Sequence, residues 1–221
     1  MGQSGAAAGR HAEPVTVADD LSGLGAATLG ESGAEPMGPR MRAAWPGARL
    51  AAPAFTVQCP PGDNLAIHVG VATAPAGSAL VVQVDGIPER GYWGEVLTTG
   101  AEARGLAGIV IDAGVRDVDA LRHHGFPVFS SCIALRGAVK EAGGQVGGPV
   151  RVGDVNVRTG DWVVGDADGV VVVGSGTLDD VLAAGRARAE KEESYFVQLR
   201  SGATTIQLLG LDAARVSRPS P

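Results

Sequence analysis

Cysteine and lysine are scarce in this 221-residue chain. It has two cysteines, Cys59 and Cys132, too few for a disulfide framework or a cysteine-ligated zinc cluster. Only Lys140 and Lys191 are lysines, although lysine and arginine together number 18. A lysine Schiff-base mechanism therefore has two candidate residues, and a reducing cytoplasm is the expected compartment.

Long apolar runs and an excess of positive charge are absent too. No apolar stretch approaches the roughly 18 residues of a membrane-spanning helix, and the first residues lack the pattern of a secretory signal. Asp and Glu number 24 against 18 Lys and Arg, for a net charge of −6, and the basic residues are scattered. We therefore expect neither a membrane nor a nucleic acid as partner.

Glycine and proline are abundant, with 34 and 13 residues, and 45% of the chain is hydrophobic. This composition is typical of a globular protein with short elements and tight turns. Small polar residues predict a disordered tail at 1–14, a single domain at 15–212 and a C-terminal tail at 213–221.

Short β-branched strands alternate with helical segments in the first two thirds of the chain. Strands are predicted at 50–57, 79–84, 108–112 and 127–130, and helices at 15–32, 63–71, 97–104 and 118–124. This alternation predicts a mainly parallel sheet with helices packed on it. A β-rich segment follows, with strands at 150–157, 162–165 and 170–173, and then a long helix at 178–199.

The residue types best suited to chemistry are concentrated at 91–119. Glu95 stands at a predicted helix start after a glycine turn, where backbone amides bind anions. Arg116 and Asp117 follow a buried strand, and both segments can face one crevice of a parallel sheet. Arg116 suits a carboxylate and Asp117 suits Mg²⁺ or Mn²⁺. Spacing alone favours the alternative, an Arg–Asp surface pair that caps the next helix.

Three blocks of the sequence resemble one family. They are APAFTVQCPPGDNLAIHVG at 52–70, WGEVLTTGAEARGLAGIVIDAGVRDVDALRHHGFPVF at 93–129 and GDWVVGDADGVVVV at 160–173. The chain resembles the RraA-like family and, within it, the 4-hydroxy-4-methyl-2-oxoglutarate/4-carboxy-4-hydroxy-2-oxoadipate aldolases. The family's hallmark is an acid, twenty intervening residues and Arg-Asp, here Glu95 and Arg116-Asp117.

The resemblance implies a swivelling-domain-like, layered α/β/β sandwich with a mainly parallel central sheet and a β-rich segment. It implies metal-dependent retro-aldol cleavage of a 4-hydroxy-2-oxo diacid to pyruvate and a second 2-oxo acid, with side activity on oxaloacetate. It also implies a homotrimer or a dimer of trimers. Two alternatives stay open: a non-catalytic, protein-binding regulator of RNA degradation, and another 2-oxo acid lyase or hydratase.

The resemblance also implies a role for individual residues on the substrate side. Asp117 is matched to the ligand of Mg²⁺ or Mn²⁺, with water completing the coordination. Arg116 is matched to the binding of the pyruvyl group. The backbone amides of Val96 and Leu97, which follow Gly94, are matched to its carboxylate.

Further residues are matched to proton transfer and to a neighbouring subunit. Glu95 is matched to an acid that acts through a water ligand of the metal, and His68 is matched to a residue that lines the site. Glu192, in the late helix, is matched to a carboxylate that reaches the site of a neighbouring subunit, with Glu190 and Glu193 as alternatives. Without the resemblance, His68 would be read as a core histidine.

The remaining polar residues are expected to be structural. His123 and His124 end a predicted helix just before Gly125, where the helix dipole favours a cation. Cys132 is expected to be a buried, inert thiol. The acidic stretch at 165–169 is expected to be a turn, because it lacks the full ligand set of a calcium loop.

Overall fold

The computed structural model describes residues 16–217. The strands are β1 (Glu35–Pro36), β2 (Arg42–Ala43), β3 (Leu50–Cys59), β4 (Ala79–Val84), β5 (Gly91–Trp93), β6 (Gly108–Val115), β7 (Val128–Ile133), β8 (Gln145–Val146), β9 (Val150–Val152), β10 (Val155–Val157), β11 (Trp162–Gly165) and β12 (Val170–Val173). The helices are α1 (Val17–Gly30), α2 (Leu65–Thr73), α3 (Glu95–Ala103), α4 (Val118–His124), α5 (Leu178–Arg200) and α6 (Thr205–Leu209), followed by a 3₁₀ helix at Ala213–Arg215. The N-terminal tail predicted at 1–14 lies outside the described residues.

One ten-stranded sheet organises the molecule. Its order is β1-β12-β11-β3-β4-β6-β7-β2, with β5 paired to β6 and β8 paired to β3. The central strands β3, β4, β6 and β7 run parallel to one another, and the outer strands are antiparallel to their neighbours. This mixed α/β sheet with a parallel centre confirms the predicted fold class.

The predicted strand at 150–157 is wrong in one respect, because the structure divides it into β9 and β10. Gly153 and Asp154 have φ angles of 55° and 70° and form the turn between the two strands. Within the predicted C-terminal tail, Ala213–Arg215 form the 3₁₀ helix. Among the helices of residues 16–217, none is long and apolar enough to cross a membrane.

Local signals set the ends of the helices. At α1, the Thr16 side chain accepts a hydrogen bond from the Asp19 amide at 3.2 Å, and the Asp19 carboxylate accepts one from the Thr16 amide at 3.1 Å. This capping box satisfies amides that the helix itself leaves unpaired. Gly105 and Gly125, both at φ 71°, end α3 and α4 in the left-handed conformation that glycine adopts readily.

Two fully buried aromatic side chains fix β5 and the chain that follows it. The Tyr92 hydroxyl accepts a hydrogen bond from the Gly62 amide at 2.8 Å. The Trp93 ring stacks on Phe126 with 6.0 Å between centroids, and its indole N–H donates to Thr98 Oγ1 at 2.8 Å. Because Thr98 lies in α3, these contacts hold the junction between β5 and α3 rigidly against the core.

Candidate active site

A cleft of about 240 Å³ opens at the carboxyl ends of β5 and β6. The two strands run parallel, with Gly91 opposite Gly114 and Trp93 opposite Val115. The residues that follow each strand therefore lie at the same edge of the sheet. Residues at the start of α2 and in the loop after β7 form the rest of the cleft wall.

The structure brings most of the predicted site residues together. Those that line the cleft are His68, Gly94, Val96, Leu97, Arg116 and Asp117. Glu95 itself does not line the cleft, although Gly94 and Val96 on either side of it do; its side chain is 57% exposed and faces His124 of α4. Glu192 does not line the cleft of its own chain, because it lies on α5 and pairs with Arg188 at 2.9 Å.

Asp117 has an unusual backbone conformation, and its carboxylate bonds outside its own helix. It is the N-cap of α4 at φ 57° and ψ 37°, a conformation uncommon for a residue with a side chain. Its carboxylate does not cap α4, so the capping role that spacing alone favours is not what the structure shows. Instead, Oδ2 accepts a hydrogen bond from the Glu95 amide at 3.1 Å and lies 3.7 Å from Arg116 Nε.

The start of α3 offers backbone donors to the cleft. Its N-cap is Gly94, which has no side chain to cap the helix. The amides of Val96 and Leu97 therefore have no acceptor among residues 16–217. Unpaired amides at a helix start attract carboxylates, both by hydrogen bonding and through the helix dipole.

Two further residues that line the cleft each have a buried polar atom that bonds to none of residues 16–217. The atoms are Asn64 Oδ1 and His68 Nε2. The Asn64 amide group donates from Nδ2 to the Tyr92 carbonyl oxygen at 2.8 Å, which fixes its orientation. Burial lowers the pKa of His68 below its usual value of 6.5, and the nearby Lys140 cation lowers it further. Since buried polar atoms are normally paired, these two atoms suit a bound polar ligand.

The cleft fits a hard cation that keeps most of its water. The part of the chain that the structure describes contains no cluster of three His, Cys, Asp or Glu side chains able to hold a metal. Asp117 Oδ1 receives no hydrogen bond from any described residue, and Oδ2 occupies the space that a Cβ at position 94 would fill. One carboxylate with room for waters suits Mg²⁺ or Mn²⁺, whereas zinc takes three or four protein ligands.

A family model for RraA-like proteins, described as Aldolase/RraA, matches residues 16–172. This chain belongs to the RraA-like family. One relative, from Halalkalibacterium halodurans, is provisionally named a 4-hydroxy-4-methyl-2-oxoglutarate aldolase. It is 33% identical over 146 residues, which are 66% of this chain and 70% of that one. The predicted family membership is confirmed.

Solved structures share the RraA-like fold. An uncharacterized protein from Pseudomonas syringae pv. tomato superposes with a TM-score of 0.79 at 27% identity, covering 93% of this chain and 100% of that one. RraAS2 from Streptomyces coelicolor, described as an unusual member of the RNase ES inhibitor RraA family, has a TM-score of 0.68 at 26% identity. That match covers 82% of this chain and 95% of RraAS2.

Sequence reasoning missed two polar residues of the cleft, Asn64 and Tyr92, and named Lys140 only as a candidate for a Schiff base. Lys140 is carried by the loop after β7, and the fully buried Asp63 fixes this loop by accepting a hydrogen bond from the Ala142 amide at 2.8 Å. These two residues are 79 positions apart, so no local pattern could reveal the contact. The one available signal was that Lys140 is one of two lysines.

The two adjacent histidines differ in their surroundings. His123 is exposed, as expected for a solvated residue. His124 instead lies between two acids of α3, with Nδ1 2.8 Å from Glu102 Oε2 and Nε2 3.6 Å from Glu95 Oε1. The carboxylate that the family resemblance assigns to proton transfer thus faces a histidine of α4.

Proposed function

We propose that this RraA-like protein is a cytoplasmic aldolase that depends on Mg²⁺ or Mn²⁺. Its substrate is 4-hydroxy-4-methyl-2-oxoglutarate or 4-carboxy-4-hydroxy-2-oxoadipate, cleaved to pyruvate and a second 2-oxo acid, with oxaloacetate decarboxylated as a side reaction. The observation that carries the proposal is the meeting of Arg116, the Asp117 carboxylate and two unpaired helix amides in one cleft. The aldolase name of the Halalkalibacterium relative supports it.

The cleft presents separate groups to the two ends of such a substrate. The Arg116 guanidinium, which is 44% exposed, binds the carboxylate of the 2-oxo acid end together with the amides of Val96 and Leu97. Lys140 lines the same cleft and supplies a cation for the distal carboxylate. A diacid therefore fits the charges of the cleft better than a monoacid.

Asp117 is the residue that would hold the Mg²⁺ or Mn²⁺ ion. When bound, the ion polarises the 2-oxo group and stabilises the negative charge that develops there. A route of this kind needs no Schiff base, which agrees with the scarcity of lysine.

Glu95 is the base that this chain offers at the rim of the cleft. Acting through a water, its carboxylate accepts the proton of the C4 hydroxyl. The C3–C4 bond breaks, C4 becomes the carbonyl of the second 2-oxo acid, and the electron pair passes to C3 and the 2-oxo group. A proton returned to C3 then gives pyruvate. Oxaloacetate reaches the same electron-rich pyruvate skeleton by losing CO₂, so the same residues serve both reactions.

Substitution of Asp117 tests this function. With Mg²⁺ and a 4-hydroxy-2-oxo diacid, the wild-type protein is expected to release pyruvate, measured by coupled oxidation of NADH. Asp117→Asn is expected to lower the rate by about a hundredfold or more, the usual cost of losing a key electrostatic group. Asp119→Asn is the matched control, because this exposed acid lies two residues further on, in the first turn of α4. Pyruvate release that survives EDTA or Asp117→Asn would contradict the proposal.

A regulatory role is the second candidate, because RraAS2 shares the fold at a TM-score of 0.68. Complete inactivity of the wild-type protein on both substrates and on oxaloacetate, with several divalent metals, would favour a protein-binding regulator of RNA degradation. Activity confined to other members of a 2-oxo acid panel would indicate a different lyase or a hydratase.

We propose further that the protein assembles as a homotrimer or a dimer of trimers. Apolar side chains are exposed on the end of α5, on α6 and just after it: Phe196, Val197, Ile206, Leu209 and Leu211. No residue of α6 is buried against the described part of the chain. Packing of these helices on another copy would cover this surface and allow Glu192 to reach the neighbouring cleft.

A further inference from the structure

Three side chains form a row beside the cleft, between α3 and α4. Glu102 and Glu95 lie two turns apart on α3, and His124 is the last residue of α4. Glu102 Oε2 is 2.8 Å from His124 Nδ1, a short hydrogen bond. The other ring nitrogen, Nε2, is 3.6 Å from Glu95 Oε1.

The middle residue of this row is the best fixed of the three. The His124 side chain is 23% exposed, compared with 36% for Glu102 and 57% for Glu95. Glu95 is the most exposed of the three, and an exposed glutamate loses considerable rotamer entropy when it is held in one place.

We propose that His124, held by Glu102, is a positioning residue that keeps the Glu95 carboxylate at the rim of the cleft. This inference rests on the proposed function and adds a residue that neither the sequence motifs nor the family resemblance pointed to. Acid–base groups work only within reach of the proton they move, directly or through one water. His124 thus acts through Glu95, from outside the cleft and without touching the substrate.

Substitution of His124 is expected to affect turnover and not binding. His124→Ala should lower kcat for retro-aldol cleavage about tenfold. This loss is smaller than the full contribution of an acid–base group to the rate, because Glu95 itself is still present. KM should change less than about twofold, because Arg116 and the amides of α3 are untouched. His123→Ala, one residue earlier and exposed, is the matched control and should leave both constants unchanged. His124→Gln, which keeps a side-chain donor, should retain more of the rate than His124→Ala.

A double-mutant cycle decides whether His124 acts through Glu95. Glu95→Gln alone should lower kcat, and adding His124→Ala to it should cause no further loss, because the carboxylate to be positioned is gone. A second tenfold loss in the Glu95→Gln background would overturn the inference and leave the proposed function standing. An inactive wild-type protein would overturn both, so the two failures are distinguishable.

Glu102→Gln provides a variant that leaves the histidine in place. It keeps the size of the side chain and an acceptor oxygen but removes the charge, so the fold is expected to be preserved, as checked by circular dichroism. The inference predicts a smaller fall in kcat in the same direction as for His124→Ala. Wild-type kcat in this variant, together with wild-type kcat in His124→Ala, would contradict the role of the row.

Discussion

The missing side chain at Gly94 gives the Asp117 carboxylate its space. A Cβ at this position would collide with Asp117 Oδ2 and would lie 3.2 Å from Arg116 Cγ. The backbone of Gly94 is extended, with φ −171°, which any residue can adopt. Room for the neighbouring side chains, and not backbone strain, is therefore the reason for glycine here.

Gly94→Ala is expected to displace Asp117 and Arg116 and to lower pyruvate release by more than about tenfold, since small misplacements of reacting groups are costly. Gly100→Ala in α3 is the matched control. Its Cβ would make an ordinary contact with Val71 at 3.6 Å, so activity should be retained and the helix stabilised by about 0.5–1 kcal/mol. Steady-state kinetics and thermal unfolding measure the two effects. Wild-type kcat in Gly94→Ala would show that the carboxylate does not need this space.

The protonation of His68 makes the stability of the folded chain depend on pH. Burial lowers its pKa in the folded chain below 6.5, as does the Lys140 cation, while Asp63 acts in the opposite direction. The unfolded chain therefore binds a proton at a higher pH than the folded chain does, and stability falls as the pH drops below about 6.5.

Replacing His68 by Gln should remove this part of the pH dependence. The free energy of unfolding in urea, measured between pH ~7 and ~5.5, is expected to fall less in His68→Gln than in the wild-type protein. His123→Gln should behave as wild type, because this residue is exposed. An equal fall in the wild-type and His68→Gln proteins would refute a buried, neutral His68.

At the scale of elements, Asp63 ties the loop that carries Lys140 to the start of α2. Its carboxylate is fully buried and accepts hydrogen bonds from the amides of Leu65, Glu141 and Ala142. Burial tends to raise the pKa of Asp63, but these amides outweigh it and hold the pKa below 3.8. The carboxylate therefore stays charged and bonded throughout the range in which His68 titrates.

Asp63→Ala should loosen this loop and leave the amides of Leu65, Glu141 and Ala142 without this acceptor, at about 1–3 kcal/mol for each N–H that water does not reach. The expected result is a lower unfolding midpoint and a higher KM for the diacid, because Lys140 is no longer held at the cleft. Asp119→Ala, at an exposed acid of α4, is the control. An unchanged KM in a destabilised Asp63→Ala would show that Lys140 does not bind the distal carboxylate.

Elements with a strong local pattern could be predicted from the sequence. The predicted bounds of α4 and β4 agree with the structure, because α4 ends at a glycine and β4 is a run of β-branched residues. The strands β1, β2 and β8 were not predictable, since each has two residues and forms only by pairing with a distant strand. The strand β5 has three residues and was not predicted either, although the motif that follows it was recognised.

The residues of the candidate site likewise divide into those that the sequence could place and those that it could not. Arg116 and Asp117 could be placed near the start of α3, because the carboxyl ends of parallel strands share an edge. Lys140 and His124 could not be placed, because their positions depend on contacts between residues far apart in the sequence. The loop of Lys140 is held by Asp63, and His124 contacts Glu102 across the α3–α4 interface.

At the scale of the whole molecule, the exposed apolar helices and the position of Glu192 point to assembly. Leu209 on α6 is 53% exposed, and Glu192 does not line the cleft of its own chain. Native mass measurement is expected to give three or six copies. Leu209→Glu should yield smaller species, whereas Val17→Glu at the start of α1 should not.

A mixing experiment tests whether Glu192 acts in a neighbouring cleft. Glu192→Gln and Asp117→Asn are each expected to be poorly active alone. Unfolded and refolded together, they should recover part of the activity, because some mixed assemblies contain a cleft with both native residues. No recovery from a mixture shown to assemble would contradict a shared site.

The most direct test of the central claim uses pyruvate alone. In D₂O with Mg²⁺, the wild-type protein should exchange the methyl protons of pyruvate for deuterium, followed as the loss of the methyl signal in the ¹H NMR spectrum. Exchange should stop with EDTA and in Asp117→Asn or Arg116→Ala, and persist in Asp119→Asn. Absence of exchange in the wild-type protein, or exchange that survives EDTA, would contradict a metal-assisted pyruvate site in this cleft.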